Sequence, residues 1–257
     1  NNSKNIIIIS KKNKGLLHLI SEKMKLFHIE HRKNTGGRFS VLTETGIVPA
    51  LLMGINLPKL RKNLLIHFQT KNKKFLKESS IKLTNLIKNK KFKNLIFLNY
   101  VPELDKFLYW NQQLIAESLG KNGIGFLPSI STAPKDHHSL LQLYLDGPRD
   151  KLFYIFSMNN NNNFKITAKI LGKKLNFLDN KSLSQIKTAQ KDSLNKLLKK
   201  NKIPFREFKI KKVNEEVLGE LFAYFILETI IVGKLAGINP FDQPAVEQGK
   251  INTKRML

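Results

Sequence analysis

The sequence predicts an α/β fold, a parallel sheet with helices on both faces. Two observations carry this. From residue 94 on, short apolar runs of strand length alternate with longer segments whose apolar residues recur at helical spacing. At 257 residues and 41% hydrophobic content, the chain also has ample material for a core.

The elements are expected in this order. Residues 6–9 are a continuous isoleucine run, read as a fully buried strand. A short helix over 16–23 and a second strand over 26–29 follow. Gly36-Gly37-Arg38 marks a tight turn, and 41–56 reads as an apolar helix, with a kink or break at Pro49. Residues 60–89 are basic and amphipathic, with Leu64, Leu65, Phe68, Phe75, Leu83, Leu86 and Ile87 at roughly helical spacing, and form connecting helices. Then come a strand over 95–98, a helix over 105–119 ended by Gly120, a strand over 124–127 and a helix over 136–145. A strand over 152–156, a polar asparagine loop over 159–163 and a short strand over 174–177 precede a helix from Ser182 to Lys200, which Gln185 opens with a capping box. The last strand is 205–210 and the last long helix 217–236. That helix is apolar, but Glu220, Glu228 and Lys234 interrupt it, which favours a buried core helix over a membrane span. The opening segment reads as the closing portion of an α/β unit. This divides the chain into 1–57, the remnant of a first domain, 58–90, connecting helices, and 91–257, a second domain.

With no cysteine, disulfides, thiolate metal sites and thiol nucleophiles are excluded. Together with the lack of a signal-peptide pattern after Asn1, this points to a cytoplasmic protein. The net charge of +26 implies attraction to anions. The lysines are spread along the whole chain without an aromatic-interleaved basic patch, so the excess reads as solvated compositional bias rather than a nucleic-acid surface.

Four segments carry candidate chemistry. In GGRFSVLTETG (36–46), Gly37 lets backbone N–H groups approach a ligand and Arg38 adds fixed positive charge; a plain turn with a surface arginine is the alternative. In WNQQLIAESLGKNG (110–123), Gln113 and Glu117 share a helix face flanked by Phe107, Leu114 and Ile115. Apolar walls would raise the basicity of that glutamate, whereas a solvated helix-end glutamate would do nothing. In APKDHHSLLQL (133–143), adjacent histidines point in different directions and nothing recurs four residues on to complete a metal site. In GINPFDQPAVEQGK (237–250), Asp242 is a candidate N-cap and Pro244 a first-turn proline, with Gln243, Glu247 and Lys250 on one face.

In order and spacing, these segments resemble signatures of the glucose-6-phosphate isomerase family. Arg38 matches the family arginine that faces the reacting carbons. Gln113, Glu117, Ser118, Gly120 and Lys121 match a Gln–Glu pair before Ser-x-Gly-Lys, whose glutamate is the catalytic base. His138, followed by Gln142-Leu143, matches the ring-opening histidine, although Asp136-His137 replaces the more familiar Gly-Gln before it. Gln243 and Lys250 match residues that contact the sugar.

The resemblance implies a sugar-isomerase (SIS-like) fold. It also implies interconversion of glucose 6-phosphate and fructose 6-phosphate through an enediolate, with no metal or cofactor. Glu117, His138, Lys250 and Arg38 would be catalytic, and Gln113, Gln243 and Gly37 would bind substrate. The partners implied are a sugar phosphate and a second copy of the chain, with the histidine reaching into the neighbour's site; neither nucleic acid nor membrane is expected. The family's Ser/Thr-rich phosphate loop has no counterpart before Arg38, so the chain is expected to be the C-terminal part of a longer enzyme. The alternatives are a non-catalytic sugar-phosphate-binding module on the same fold and a basic nucleic-acid-binding protein.

Overall fold

The computed structural model of the chain describes residues 5–12, 15–32, 34–158, 164–168 and 172–257. Two parallel sheets organise it. In the smaller, β1 (Ile7–Ser10) pairs with β2 (Phe27–Glu30). The larger contains β3 (Asn94–Asn99), β4 (Leu127–Thr132), β5 (Lys151–Met158) and β6 (Phe205–Ile210), in the order β4-β3-β5-β6. The helices are α1 (Leu16–Lys23), α2 (Glu44–Leu52), α3 (Leu57–Arg61), α4 (Thr70–Lys88), α5 (Asp105–Leu119), α6 (Lys135–Asp146), α7 (Leu183–Lys200), α8 (Glu215–Ala236) and α9 (Pro244–Met256).

The larger sheet is buried on both faces because its central strands carry continuous apolar runs, 95–98 in β3 and 152–156 in β5. Alternate side chains of a strand point to opposite faces. Leu95 and Phe97 of β3, with Leu152, Tyr154 and Phe156 of β5, enter the core that includes residues of α4, α5 and α8. Ile96, Leu98, Phe153 and Ile155 enter a second core with Tyr144 of α6 and Leu194 and Leu198 of α7. The α/β prediction therefore holds, with helices covering both faces.

Buried polar groups tie this frame together. Glu228, only 1% exposed, accepts both Nη groups of Arg206 at 2.7 and 2.8 Å. Tyr224 donates to the same carboxylate at 2.9 Å and Ser79 at 2.5 Å, joining β6, α8 and α4. The arginine also stacks 4.2 Å from the Tyr154 ring centroid. Thus Glu228, which interrupts an apolar helix in sequence, is the partner of a cation on the neighbouring strand. Nearby, α3 crosses α8 so closely that a Cβ on Gly219 would overlap the Leu60 carbonyl oxygen. Among the described residues no helix is long and apolar enough to cross a membrane.

Several expectations are corrected. The first strand is not fully buried: Ile7 is 41% exposed, because among the described residues β1 pairs only with β2. The expected 41–56 helix is divided. Its start belongs to a 3-10 turn, Gly37–Leu42; α2 then passes through Pro49 and ends at Leu52, with Gly54 at φ 80° turning the chain. Within 60–89, Leu65, Phe68 and Phe75 are exposed while Leu83 and Ile87 are buried, because the helical register is broken between α3 and α4. The strand expected over 124–127 begins only at Leu127, since Ile124 closes a turn with Lys121 and Gly125 has φ 130°. Residues 174–177 form a 3-10 turn, not a strand. Gly120 ends α5 without the left-handed backbone of a typical glycine cap, at φ −78°. What its lack of a side chain relieves is a close approach, because a Cβ would lie 2.7 Å from the Ala116 carbonyl oxygen. The Ser182–Gln185 capping box forms as expected, and α8 ends at Gly237 with a left-handed backbone, φ 76°. The asparagine run 159–163 lies outside the described residues.

Candidate active site

The path of α5 positions the site. Its first residue, Asp105, accepts from Asn99 at the carboxyl end of β3, and Gln112 donates to the Pro128 carbonyl near the start of β4. The helix therefore runs back along the sheet, bringing Glu117 and Ser118 to the sheet's amino end. There they meet the 3-10 turn that carries Arg38 and the turn that follows α8.

Arg38 is 3% exposed and all of its guanidinium nitrogens donate. Nε reaches Ser118 Oγ at 2.8 Å, and Nη1 reaches Glu117 Oε2 at 3.2 Å and Gln243 Oε1 at 2.8 Å. Nη2 binds the carbonyl oxygens of Pro240 at 2.7 Å and Asp242 at 2.8 Å. Burial lowers the arginine's pKa, with Glu117 and Asp242 pulling the other way. Gln113 donates to the second carboxylate oxygen of Glu117 at 3.0 Å, as the four-residue spacing requires. One cluster thus gathers residues from three distant parts of the chain.

The expected apolar wall around Glu117 is not what faces it. Phe107, Leu114 and Ile115 turn into the core, while the glutamate, 30% exposed, receives a guanidinium and an amide. The carboxylate is thereby oriented at both oxygens, with open access beside a buried cation.

A second anchor stands beside the first. Lys121 Nζ donates to the carbonyl oxygens of Asn239 at 2.5 Å and Asp242 at 2.6 Å, and to Asp242 Oδ1 at 2.7 Å. That contact holds the Asp242 carboxyl below its usual pKa. Asp242 is therefore not the N-cap of α9, and the cap position falls to Gln243, whose side chain is directed to Arg38 instead. Pro244 does open α9. The turn is closed further by Phe39 and Phe241, whose ring centroids are 5.3 Å apart, and by Gly36, which lies against the Phe241 carbonyl. Neither Gly36 nor Gly37 adopts a left-handed backbone; Gly37 opens the 3-10 turn, and a Cβ on it would meet nothing within 4 Å.

Two expected site residues stand apart in this chain. His138 is exposed in the first turn of α6, at the carboxyl end of β4. Glu117 lies twelve residues along α5 from that end of the sheet, about 18 Å at 1.5 Å per residue. Lys250 is exposed about 10 Å along α9 from Gln243. The side chain of Glu247 is outside the described ones. The neighbouring His137 is engaged elsewhere: its Nε2 lies 2.6 Å from the Tyr100 hydroxyl, and burial lowers its pKa. Among the described residues no three His, Asp or Glu side chains converge as metal ligands.

Ser118 and Lys121 belong to the matched motif, but no role is expected of them from sequence. The structure makes both anchors, one of the arginine and one of the terminal turn. Trp110 is a third, its Nε1 donating to the Arg38 carbonyl at 3.1 Å. Its position at the head of the same segment is the only sequence signal for it.

Comparison with known proteins adds a separate line. The chain is 35% identical over 260 residues to a probable glucose-6-phosphate isomerase of Methanococcus maripaludis, covering 95% of this chain and 56% of that protein. It is 34% identical to the glucose-6-phosphate isomerase of Mycoplasmopsis synoviae, covering 96% and 59%. The chain thus spans a little over half the length of these curated relatives. No family model matches it. Among solved structures, a hypothetical protein from Thermus thermophilus superposes with a TM-score of 0.86 at 24% identity, over 99% of this chain and 63% of the other. A glucose-6-phosphate isomerase from Chlamydia trachomatis gives 0.78 at 16%, over 97% and 52%. At such identities the superpositions show the fold.

Proposed function

The chain belongs to the glucose-6-phosphate isomerase family, and from that membership we propose that it carries the proton-transfer machinery of an aldose–ketose isomerase acting on glucose 6-phosphate and fructose 6-phosphate. The observation that carries this reading is the Arg38–Glu117–Gln243 cluster, in which a half-exposed carboxylate is held 3.2 Å from a buried guanidinium.

In this reading the Glu117 carboxylate removes the proton from C2 of the open-chain sugar and returns it to C1. The electron pair left behind forms the C1–C2 double bond of an enediolate as the C1 carbonyl takes up negative charge. Arg38 is the preorganised cation for that charge, with five hydrogen bonds fixing its plane before substrate arrives. Gln113 holds the other Glu117 oxygen and orients the base. Gln243, a hydrogen bond away from Arg38, is placed to meet a sugar hydroxyl, and the open side of Gly37 leaves room for the sugar itself.

Ring opening falls to His138 and Lys250. His138 stands at the carboxyl end of the sheet and Glu117 near its amino end, about 18 Å along α5 from the first residue of that helix, which favours a shared site in which the histidine of a second copy serves this carboxylate. A homodimer and a cytoplasmic setting belong to the same proposal. So does the division into 1–57, 58–90 and 91–257, whose first boundary is supported by β1 and β2 pairing only with each other among the described residues.

The test is Glu117→Gln in the full-length protein. Loss of a general base lowers turnover by about 10²–10⁴-fold, and exchange of the C2 hydrogen with solvent deuterium should fall in parallel. Unchanged exchange at C2 would remove Glu117 as the base.

A further inference from the structure

The charge of +26 is evenly spread along the sequence but not in space. The amino ends of β3, β5 and β6 lie side by side in parallel register. The segments entering them are basic: Lys88, Lys90, Lys91 and Lys93 before β3, Arg149 and Lys151 at β5, and Lys199, Lys200 and Lys202 before β6. Against these nine cations stand Asp146 and Asp150. Asp150 is engaged within the frame, accepting from Asn94 Nδ2 at 2.9 Å and Lys151 Nζ at 2.8 Å. Asp146 accepts from Gln142 at 3.1 Å.

Between these segments lies a cavity of about 260 Å³, lined by Lys91, Arg149, Lys151, Lys202, Tyr144 and Asn201 among others, and its described lining contains no carboxylate. It shares no residue with the Arg38 cluster. It lies on the α6–α7 face of the sheet, where Tyr144 and Ile203 belong to the second core. One effect opposes an anion here: α4, α6 and α7 all end at this pole, and each helix C-terminus carries about −0.5 charge. Three such ends amount to about −1.5, which the excess of cations outweighs severalfold. Of the lining cations Lys151 is paired with Asp150 at 2.8 Å, while Lys91, Arg149 and Lys202 have no ion-pair partner among the described residues; cations so placed around a concavity repel one another, and a multivalent anion relieves that repulsion.

We infer that this pocket binds a small polyphosphorylated anion, a di- or triphosphate group or a molecule bearing one. The cavity is the size of such a group, and its cations surround a concavity rather than tracking along a groove, which is the geometry of a compact anion and not of a nucleic-acid strand. The lysine pattern is legible as a surface feature only once the sheet aligns three segments that are far apart in sequence.

The test is calorimetric titration of the full-length protein with inorganic tripolyphosphate, comparing wild type with the triple variant Lys91→Gln, Arg149→Gln, Lys202→Gln. Wild type should show one saturable site, and the triple variant should bind at least about tenfold more weakly, a change of about 1.4 kcal/mol, with isomerase turnover unchanged. In a second measurement that needs no variant, tripolyphosphate should protect Lys91 and Lys202 of the wild type from chemical acylation. Equal affinity in the triple variant, or acylation of both lysines unaffected by the anion, would overturn the assignment. So would a single-stranded oligonucleotide that binds these residues with steep salt dependence and is not displaced by tripolyphosphate, which would make the surface a nucleic-acid one.

Discussion

Arg38→Lys tests whether the terminal turn is held by the geometry of a guanidinium or merely by positive charge. Arg38 fills five acceptors: Ser118 Oγ, Glu117 Oε2, Gln243 Oε1 and the carbonyl oxygens of Pro240 and Asp242. A lysine ammonium offers three donors from a single point and cannot span that set. At least two acceptors lose their partner. Each buried acceptor left unpaired costs about 1–3 kcal/mol, and partial access of water to Asp242 favours the lower part of that range. The anchoring of the turn should therefore weaken by about 2–4 kcal/mol, an increase of about 30- to 1,000-fold in local opening. Amide hydrogen exchange on the full-length protein reads this directly. The Ile238 amide, bonded to the Gly233 carbonyl, and the Phe241 amide, bonded to Asn239 Oδ1, should exchange faster by that factor. Peptides from β5 should keep their protection and serve as the internal reference. Lys121→Met removes the other anchor and should act in the same direction. If Ile238 and Phe241 in Arg38→Lys exchange within threefold or so of the wild-type rate, while β5 stays protected, the charge alone suffices and the reasoning fails.

Two further outcomes are expected. Glu228→Ala strips the half-buried Arg206 of its bidentate partner, and urea denaturation should show a loss toward the lower end of about 3–5 kcal/mol, since the guanidinium keeps some access to water; the apolar pair Arg206→Met with Glu228→Leu should recover much of it, because neither charge is then left without its partner. His67, buried beside Tyr224 with neither ring nitrogen hydrogen-bonded, has its pKa lowered by burial. The unfolded state then binds the proton first, so thermal stability should fall as pH drops from about 6.5 until the folded histidine itself titrates. His67→Phe should flatten the melting temperature across that window. Glu220, 3.8 Å away with its pKa raised by burial, works with the opposite sign at lower pH, so the difference between wild type and variant isolates the histidine.

Much of the frame was legible from local pattern. The bounds of α1, α5 and β6, and the capping box of α7, agree with the expected ones because each rests on periodicity or on a cap within a few residues. The misses have local causes too. Leu175 and Phe177 alternate with polar Lys174 and Asn176, a pattern as short as this fits a strand or a tight turn, and here the backbone closes on itself as a 3-10 turn. Asp242 has the chemistry of an N-cap, but Lys121, 121 residues earlier, takes its carboxylate first. Glu228 reads as an intrusion until Arg206 is placed opposite it.

The sequence alone determined the alternation of strands and helices, and it held the residue types and spacings that single out Arg38, Glu117, His138, Gln243 and Lys250. These are properties of neighbours along a chain, where turn geometry and side-chain periodicity act. Only the tertiary structure decided that Arg38, Glu117 and Gln243 form one cluster while His138 lies at the other end of the sheet. Only the structure showed that three separate lysine-rich segments make one basic pole. Contacts between residues 79 and 205 positions apart depend on where a parallel sheet and its returning helices place the chain, and no local spacing contains that information.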